Sequence, residues 1–214
     1  MNLSLIIRLV GSLSGLVQTV VSLRAFKMKA PEYARIFTVL CILEAIADVF
    51  QWTQGSRNDV QVMTSNIVIL SELVVYSYIF YLIIHSKIIK WIYIPLNSAI
   101  LLRCLYLFGR DEFSFKVTMD LQVYANFILL IPAFTYLREI FIFRLKENML
   151  SDFTFWFVTG TIFYCAATIV YLLGLDYLLI LKIKDTNFDF YLFTGIVFLI
   201  VNIIYIKAFS CLKN

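Results

Sequence analysis

Seven apolar runs, at about 3–23, 34–52, 62–84, 90–108, 119–140, 153–175 and 188–209, alternate with short polar links along this chain. Each run is roughly 18–23 residues. A helix rising 1.5 Å per residue needs about that length to cross a ~30 Å hydrocarbon slab. No link is long enough to fold by itself. The pattern therefore predicts one all-α domain over residues 1–214, a polytopic membrane protein built as a seven-transmembrane-helix bundle.

Local signals agree with these boundaries. Ala30-Pro31-Glu32 reads as a helix start, with proline at the first position and an acid at the positive end of the helix dipole. Ser151-Asp152 reads as the cap of the sixth helix. Pro95 and Pro132 fall inside the fourth and fifth runs, where membrane helices tolerate a kink. Gly11 and Gly15 form a GxxxG on the first run, which predicts close helix packing there. The first run lacks the basic leader and the small-residue cleavage site of a signal peptide, so it is read as a membrane helix.

Composition strengthens the picture. The chain is 62% hydrophobic and only 15% charged, with mean hydropathy +0.88, whereas soluble domains carry about 25% charged residues. So much apolar surface exceeds what a core of this size buries, and lipid is the expected solvent for the rest. The 20 Phe and 13 Tyr suit the bilayer core and its interfaces. Cys41, Cys104, Cys165 and Cys211 lie in or beside apolar runs without CxxC spacing and read as small buried hydrophobes. The formal charge of +4 is spread through short loops, so a nucleic-acid partner is not expected.

The spread of charge does predict orientation. Loops one, three and five and the C-terminus hold Arg24, Lys27, Lys29, Arg35, Lys87, Lys90, Arg138, Arg144, Lys146, Lys207 and Lys213. The opposite loops hold Arg57, Arg110, Lys116, Lys182 and Lys184, while Arg8 and Arg103 lie within runs. The positive-inside rule then gives N-out and C-in, in a bacterial inner membrane.

Candidate chemistry is concentrated in a few ionisable groups at membrane depth. Catalytic motifs are absent: there is no P-loop, Rossmann fingerprint or HExxH, and the single histidine, His85, sits beside Lys87 at a helix end. Neither an enzyme, a metal site nor a cofactor is expected. By contrast, Glu44 and Asp48 lie roughly 14 and 20 Å beyond Arg35, Glu72 roughly 16 Å from the outer end of its run, and Arg103 roughly 18 Å beyond Trp91. Ionisable groups at such depth are costly, face the bundle interior and mark function by default.

Their neighbours form polar stripes. Cys41, Glu44, Asp48 and Gln51 share one helical face; so do Ser65, Glu72 and Tyr76; so do Thr161, Tyr164, Thr168 and Tyr171; and Tyr191, Thr194, Asn202 and Tyr205 nearly do. The candidate ligand-binding or proton-linked set is therefore Glu44, Asp48, Glu72, Arg103, Tyr76, Tyr164, Thr168 and Asn202. The alternative is a buried acid–arginine pair, Arg103 with Glu72 or Asp48, that only fixes packing. Three deep acids outnumber one deep arginine, so at least one acid is expected to carry a proton.

Glu44, the stretch 66–72 leading into Tyr76–Tyr81, and the stretch 153–164 resemble small bacterial seven-helix membrane proteins. Similar units form the membrane part of bacterial seven-transmembrane receptors and sensor kinases. That resemblance implies a receptor-like protein without enzymatic activity. It would bind a small ligand or ion in an outer-half polar pocket and pass a helix shift to a cytoplasmic partner protein. Arg24–Lys29 and Arg144–Lys146 are the candidate docking surface, with anionic-lipid contact as their plainer role.

A small proton-coupled or facilitative transporter is the alternative, and an intramembrane lipid-modifying enzyme a further one. A loose repeat at an offset of 120, which aligns Glu44 with Tyr164 and Asp48 with Thr168, favours transport. Rhodopsin, G-protein-coupled receptor and small sugar-transporter signatures are missing.

Overall fold

A computed structural model describes residues 3–28, 30–54, 58–109, 115–143, 148–181 and 190–212. Lys29, Ser56, Arg57, Arg110, Arg144, Lys146, Lys182, Lys184 and Lys213 lie outside the described residues, as do the side chains of Arg8, Lys116 and Tyr191. Half of the loop basic residues on which the expected orientation rests therefore lie outside the described residues.

All regular structure among the described residues is helical. The long helices are α1 (Leu3–Ser22), α3 (Glu32–Gln54), α4 (Asn58–Ile83), α5 (Lys87–Gly109), α6 (Phe115–Phe143), α7 (Phe153–Leu181) and α8 (Phe190–Ser210). They match the seven apolar runs, mostly lengthened by a few residues at the ends. Six are long and apolar enough to cross a membrane, which makes the chain a multi-pass membrane protein. The seventh, α3, is of comparable length but carries Glu32, Arg35, Glu44 and Asp48.

The first polar link is not featureless. Arg24–Lys27 forms a single helical turn, α2, because Ala25 buries completely beneath it. Helix starts follow their caps: Asp152 accepts the Thr154 N–H at 3.0 Å at the head of α7, and Pro31 offers its carbonyl to the N–H of Ala34 and Arg35 at the head of α3. Pro31 thus precedes α3 rather than occupying its first turn. Pro95 and Pro132 lie inside α5 and α6.

Packing closes six helices into a ring, in the order α1, α3, α4, α6, α7, α8 and back to α1. Helix α5 stands outside it, seated on α4 and α6. The GxxxG faces α8: a Cβ at Gly11 would meet the Gly195 carbonyl at 3.6 Å, and one at Gly15 would meet Asn202 Nδ2 at 3.7 Å. Small residues let the two backbones approach, which is how membrane helices gain van der Waals contact without a hydrophobic drive.

At one end, termed the near end, the odd-numbered links meet. Tyr33 and Thr154 hydroxyls are 2.9 Å apart. The Glu139 carboxylate on α6 accepts the backbone N–H groups of His85 and Ser86 at 3.1 and 2.9 Å. Cys211 Sγ lies 3.6 Å from the Leu150 carbonyl. These ties bring the segments after α1, α4, α6 and α8 together, as alternate crossings require.

The core sits between this end and mid-depth and is aromatic. Phe37 of α3 meets Phe157 and Tyr205 at 4.8 Å, Phe209 at 5.7 Å and Tyr76 at 6.0 Å, joining four ring helices. Buried Thr38 beside it donates to the Ala34 and Ser22 carbonyls. The second of these satisfies an orphan acceptor at the end of α1.

Candidate functional site

Above the aromatic core, one polar layer crosses the ring. Glu72 is half-buried on α4, and the Tyr164 hydroxyl of α7 donates to its Oε1 and Oε2 at 3.3 and 3.2 Å. One turn further along α4, Tyr76 and Tyr205 of α8 share a hydrogen bond of 2.9 Å, and Thr161 lies 3.3 Å from Tyr205. The spacing from Glu72 to Tyr76 puts both on one face of α4, so a single helix face serves two partners across the interior. A ring in hydrocarbon leaves hydroxyls no water to bond, so these groups satisfy one another.

Glu44 enters the same layer from α3. It is half-buried and makes no hydrogen bond or ion pair among the described residues. Asp48 and Glu72 lie within electrostatic reach of it. Asp48 itself is exposed on α3.

Two cavities open in the half of the bundle beyond this layer. One, of about 170 Å³, lies between α6, α7 and α8, with Tyr164, Thr168, Tyr171 and Thr194 on its wall. The other, of about 250 Å³, runs between α3 and α4, with Glu44, Thr64 and Ser71 among apolar side chains.

The structure thus unites Glu44, Glu72, Tyr76 and Tyr164, with Asp48 beside them and Thr168 on the cavity that Tyr164 walls. Two expected members fall outside. Arg103 is exposed on α5 and forms no ion pair with Glu72 or Asp48; α5 lies outside the ring and does not pack against α3. The one ion pair among the described residues joins His85 to Glu139 at 3.4 Å. Asn202 turns to α1, where its Nδ2 donates to Ser14 Oγ at 2.8 Å, a helix-to-helix tie rather than part of the acid layer.

Other members were less visible in the sequence. Tyr205 and Thr161 lie on the expected stripes but stood without a role. Gln18, buried on α1, donates to Cys41 Sγ at 3.2 Å. A lone glutamine in an apolar run is a usable signal, since it needs a partner in lipid.

Cys41, Cys104 and Cys165 are free and buried, and Cys211 is free and partly exposed. Among the described residues no three His, Cys, Asp or Glu side chains gather in a way that could hold a metal ion. No known protein family, curated protein or solved structure matches this chain.

Proposed function

We propose that the chain is a receptor-like, non-enzymatic membrane protein of seven spans, N-out and C-in in a bacterial inner membrane, with α3 as the seventh span. Its resemblance to the membrane units of bacterial sensors is part of this reading. A small ligand would enter the cavity between α6, α7 and α8 in the outer half.

One observation carries it: Tyr164 lines that cavity and also holds the Glu72 carboxylate inside the ring. A ligand that displaced the Tyr164 hydroxyl would release Glu72, and the Tyr76–Tyr205 bond one turn away would feel the change at the aromatic core. The core reaches the near end, where a cytoplasmic partner would read the shift. Arg24 and Lys27 are exposed at that end and belong to the candidate docking surface.

The test is a thermal-shift screen of small metabolites on the full chain in lipid nanodiscs, repeated on Thr168→Trp, which fills the cavity. A compound that stabilises the wild-type chain but not the filled variant supports the reading. If every stabilising compound acts equally on both, the cavity is not the receptor site.

A second reading is a small proton-coupled or facilitative carrier. It is favoured by the grouping of Glu44, Asp48 and Glu72, and by a ring whose order divides into α1, α3, α4 and α6, α7, α8 with α5 outside. Acid-driven solute uptake into proteoliposomes that is abolished in Glu44→Gln would establish it over sensing.

A further inference from the structure

The cleft between α3 and α4 is walled differently from the cavity at Tyr164. Its volume is about 250 Å³, just under the ~300 Å³ at which small-molecule pockets begin. Leu43, Ile46, Phe50 and Ile67 give it an apolar wall that is exposed on the outside of the ring. In a bilayer that side faces lipid. Among the described residues, Glu44 is the only charged group on the wall.

Among the described residues, no basic side chain forms an ion pair with that carboxyl group. Helix α4 carries no lysine or arginine. Arg35, the basic residue of α3, lies nine positions away, about 14 Å along the helix. Arg103 is on α5 outside the ring. Among the described residues, the charges that reach Glu44 are those of Asp48 and Glu72, both acidic. Ser71 is turned to its own helix, donating to the Ile67 carbonyl at 2.8 Å.

We propose that this cleft binds a small lipophilic amine drawn from the bilayer, its ammonium group at Glu44 and its chain along Leu43, Ile46, Phe50 and Ile67. Charge complementarity selects the head. An anion would be repelled by the Glu44 carboxylate, and a neutral chain would leave Glu44 without a partner in a medium where that is costly. A bare divalent cation is disfavoured because it needs several oxygen ligands, and one carboxylate among apolar walls does not supply them. The volume selects the tail, which is a single short chain rather than a two-chain lipid. This site is formed by helices other than those of the receptor cavity, and it stands whether or not that cavity binds a ligand.

The experiment uses the full chain in nanodiscs and two photoreactive probes, octylamine and octanol, each with a diazirine at the chain end. Labelled positions are mapped by mass spectrometry. The amine probe is expected to label α3 and α4 along the cleft, to be competed by unlabelled octylamine, and to label at least tenfold more than the alcohol. Glu44→Gln should reduce amine labelling by about tenfold. Ala47→Phe, which fills the cleft and leaves the carboxyl in place, should abolish it without loss of the folded thermal transition.

Equal labelling by amine and alcohol on the wild-type chain would reduce the cleft to a crevice for lipid tails and overturn the proposal. So would undiminished labelling of Glu44→Gln. The comparison of the two probes on the wild-type chain decides the matter even where a variant does not fold.

Discussion

Tyr164 on α7 spans the interior to hold both carboxylate oxygens of Glu72 on α4, at 3.3 and 3.2 Å. The helices that carry them do not pack side by side; α6 stands between them on the ring. The bond therefore fixes the ring's cross-section, not a neighbouring pair. A hydrogen bond to an acid group is worth about 1.5–3 kcal/mol when the group is charged. Tyr164→Phe keeps the ring and removes the donor. It is expected to lower thermal stability in detergent by several degrees, while Thr168→Ser on the same cavity wall leaves it unchanged. An unchanged transition in Tyr164→Phe would mean that Glu72 finds another donor.

Gly160 offers a sharper steric test. A Cβ there would sit 2.6 and 2.9 Å from ring carbons of Tyr205 and 3.2 Å from Ile204. The Tyr205 ring is pinned by its bonds to Tyr76 and Thr161 and by Phe37, so it cannot simply swing away. Gly160→Ala should cost about 1–3 kcal/mol, the usual price of overpacking a full core. Thermal unfolding followed by tryptophan fluorescence measures it. Gly160→Ala combined with Tyr205→Leu should recover part of the loss.

At the near end, Glu139 accepts two backbone N–H groups ahead of α5. These are orphan donors of a helix start, and an acid there also meets the positive end of the dipole. Glu139→Ala is expected to destabilise by about 1–2 kcal/mol. Replacing His85 by alanine should have a far smaller effect, since its side chain is 79% exposed. If both changes are equal, the ion pair and not the helix cap does the holding.

Arg103 gives an opposite expectation. Exposed on α5 and without an acid partner in the ring, it has no buried pair to break. Arg103→Leu should be at least as stable as the wild-type chain in detergent. A large loss of stability, rescued by Glu72→Gln, would restore the pairing that the sequence suggests.

Buried amides complete the set. Asn126 on α6 is 3% exposed, and its Nδ2 has no hydrogen-bond partner. A buried unsatisfied polar group costs about 1–3 kcal/mol, so Asn126→Leu should raise the melting temperature. A fall would show that the amide is engaged, by water or by a ligand, in the bilayer.

The sequence by itself determined the helices. Apolar runs of spanning length, broken by short polar links, leave the backbone in lipid no choice but to bond to itself, so element type and approximate ends followed from local composition. Polar stripes were equally legible, because residues three and four apart share a face whatever surrounds them. Thus Glu72, Tyr76 and Tyr164 could be picked out as inward-facing, and Glu44 as a member of the same polar set, before any contact was known.

Which stripes meet was decided only by tertiary structure. Depth along the helices put Arg103 level with Glu72, and nothing local says that α4 packs directly on α6 and leaves α5 outside. That choice depends on side-chain shape summed over whole helix faces, such as the close approach of Gly11 and Gly15 to α8 that helps to close the ring. The same closure turned Asn202 to Ser14, brought Tyr205 and Thr161 to Tyr76, and left Glu44 on the wall of a cleft between α3 and α4.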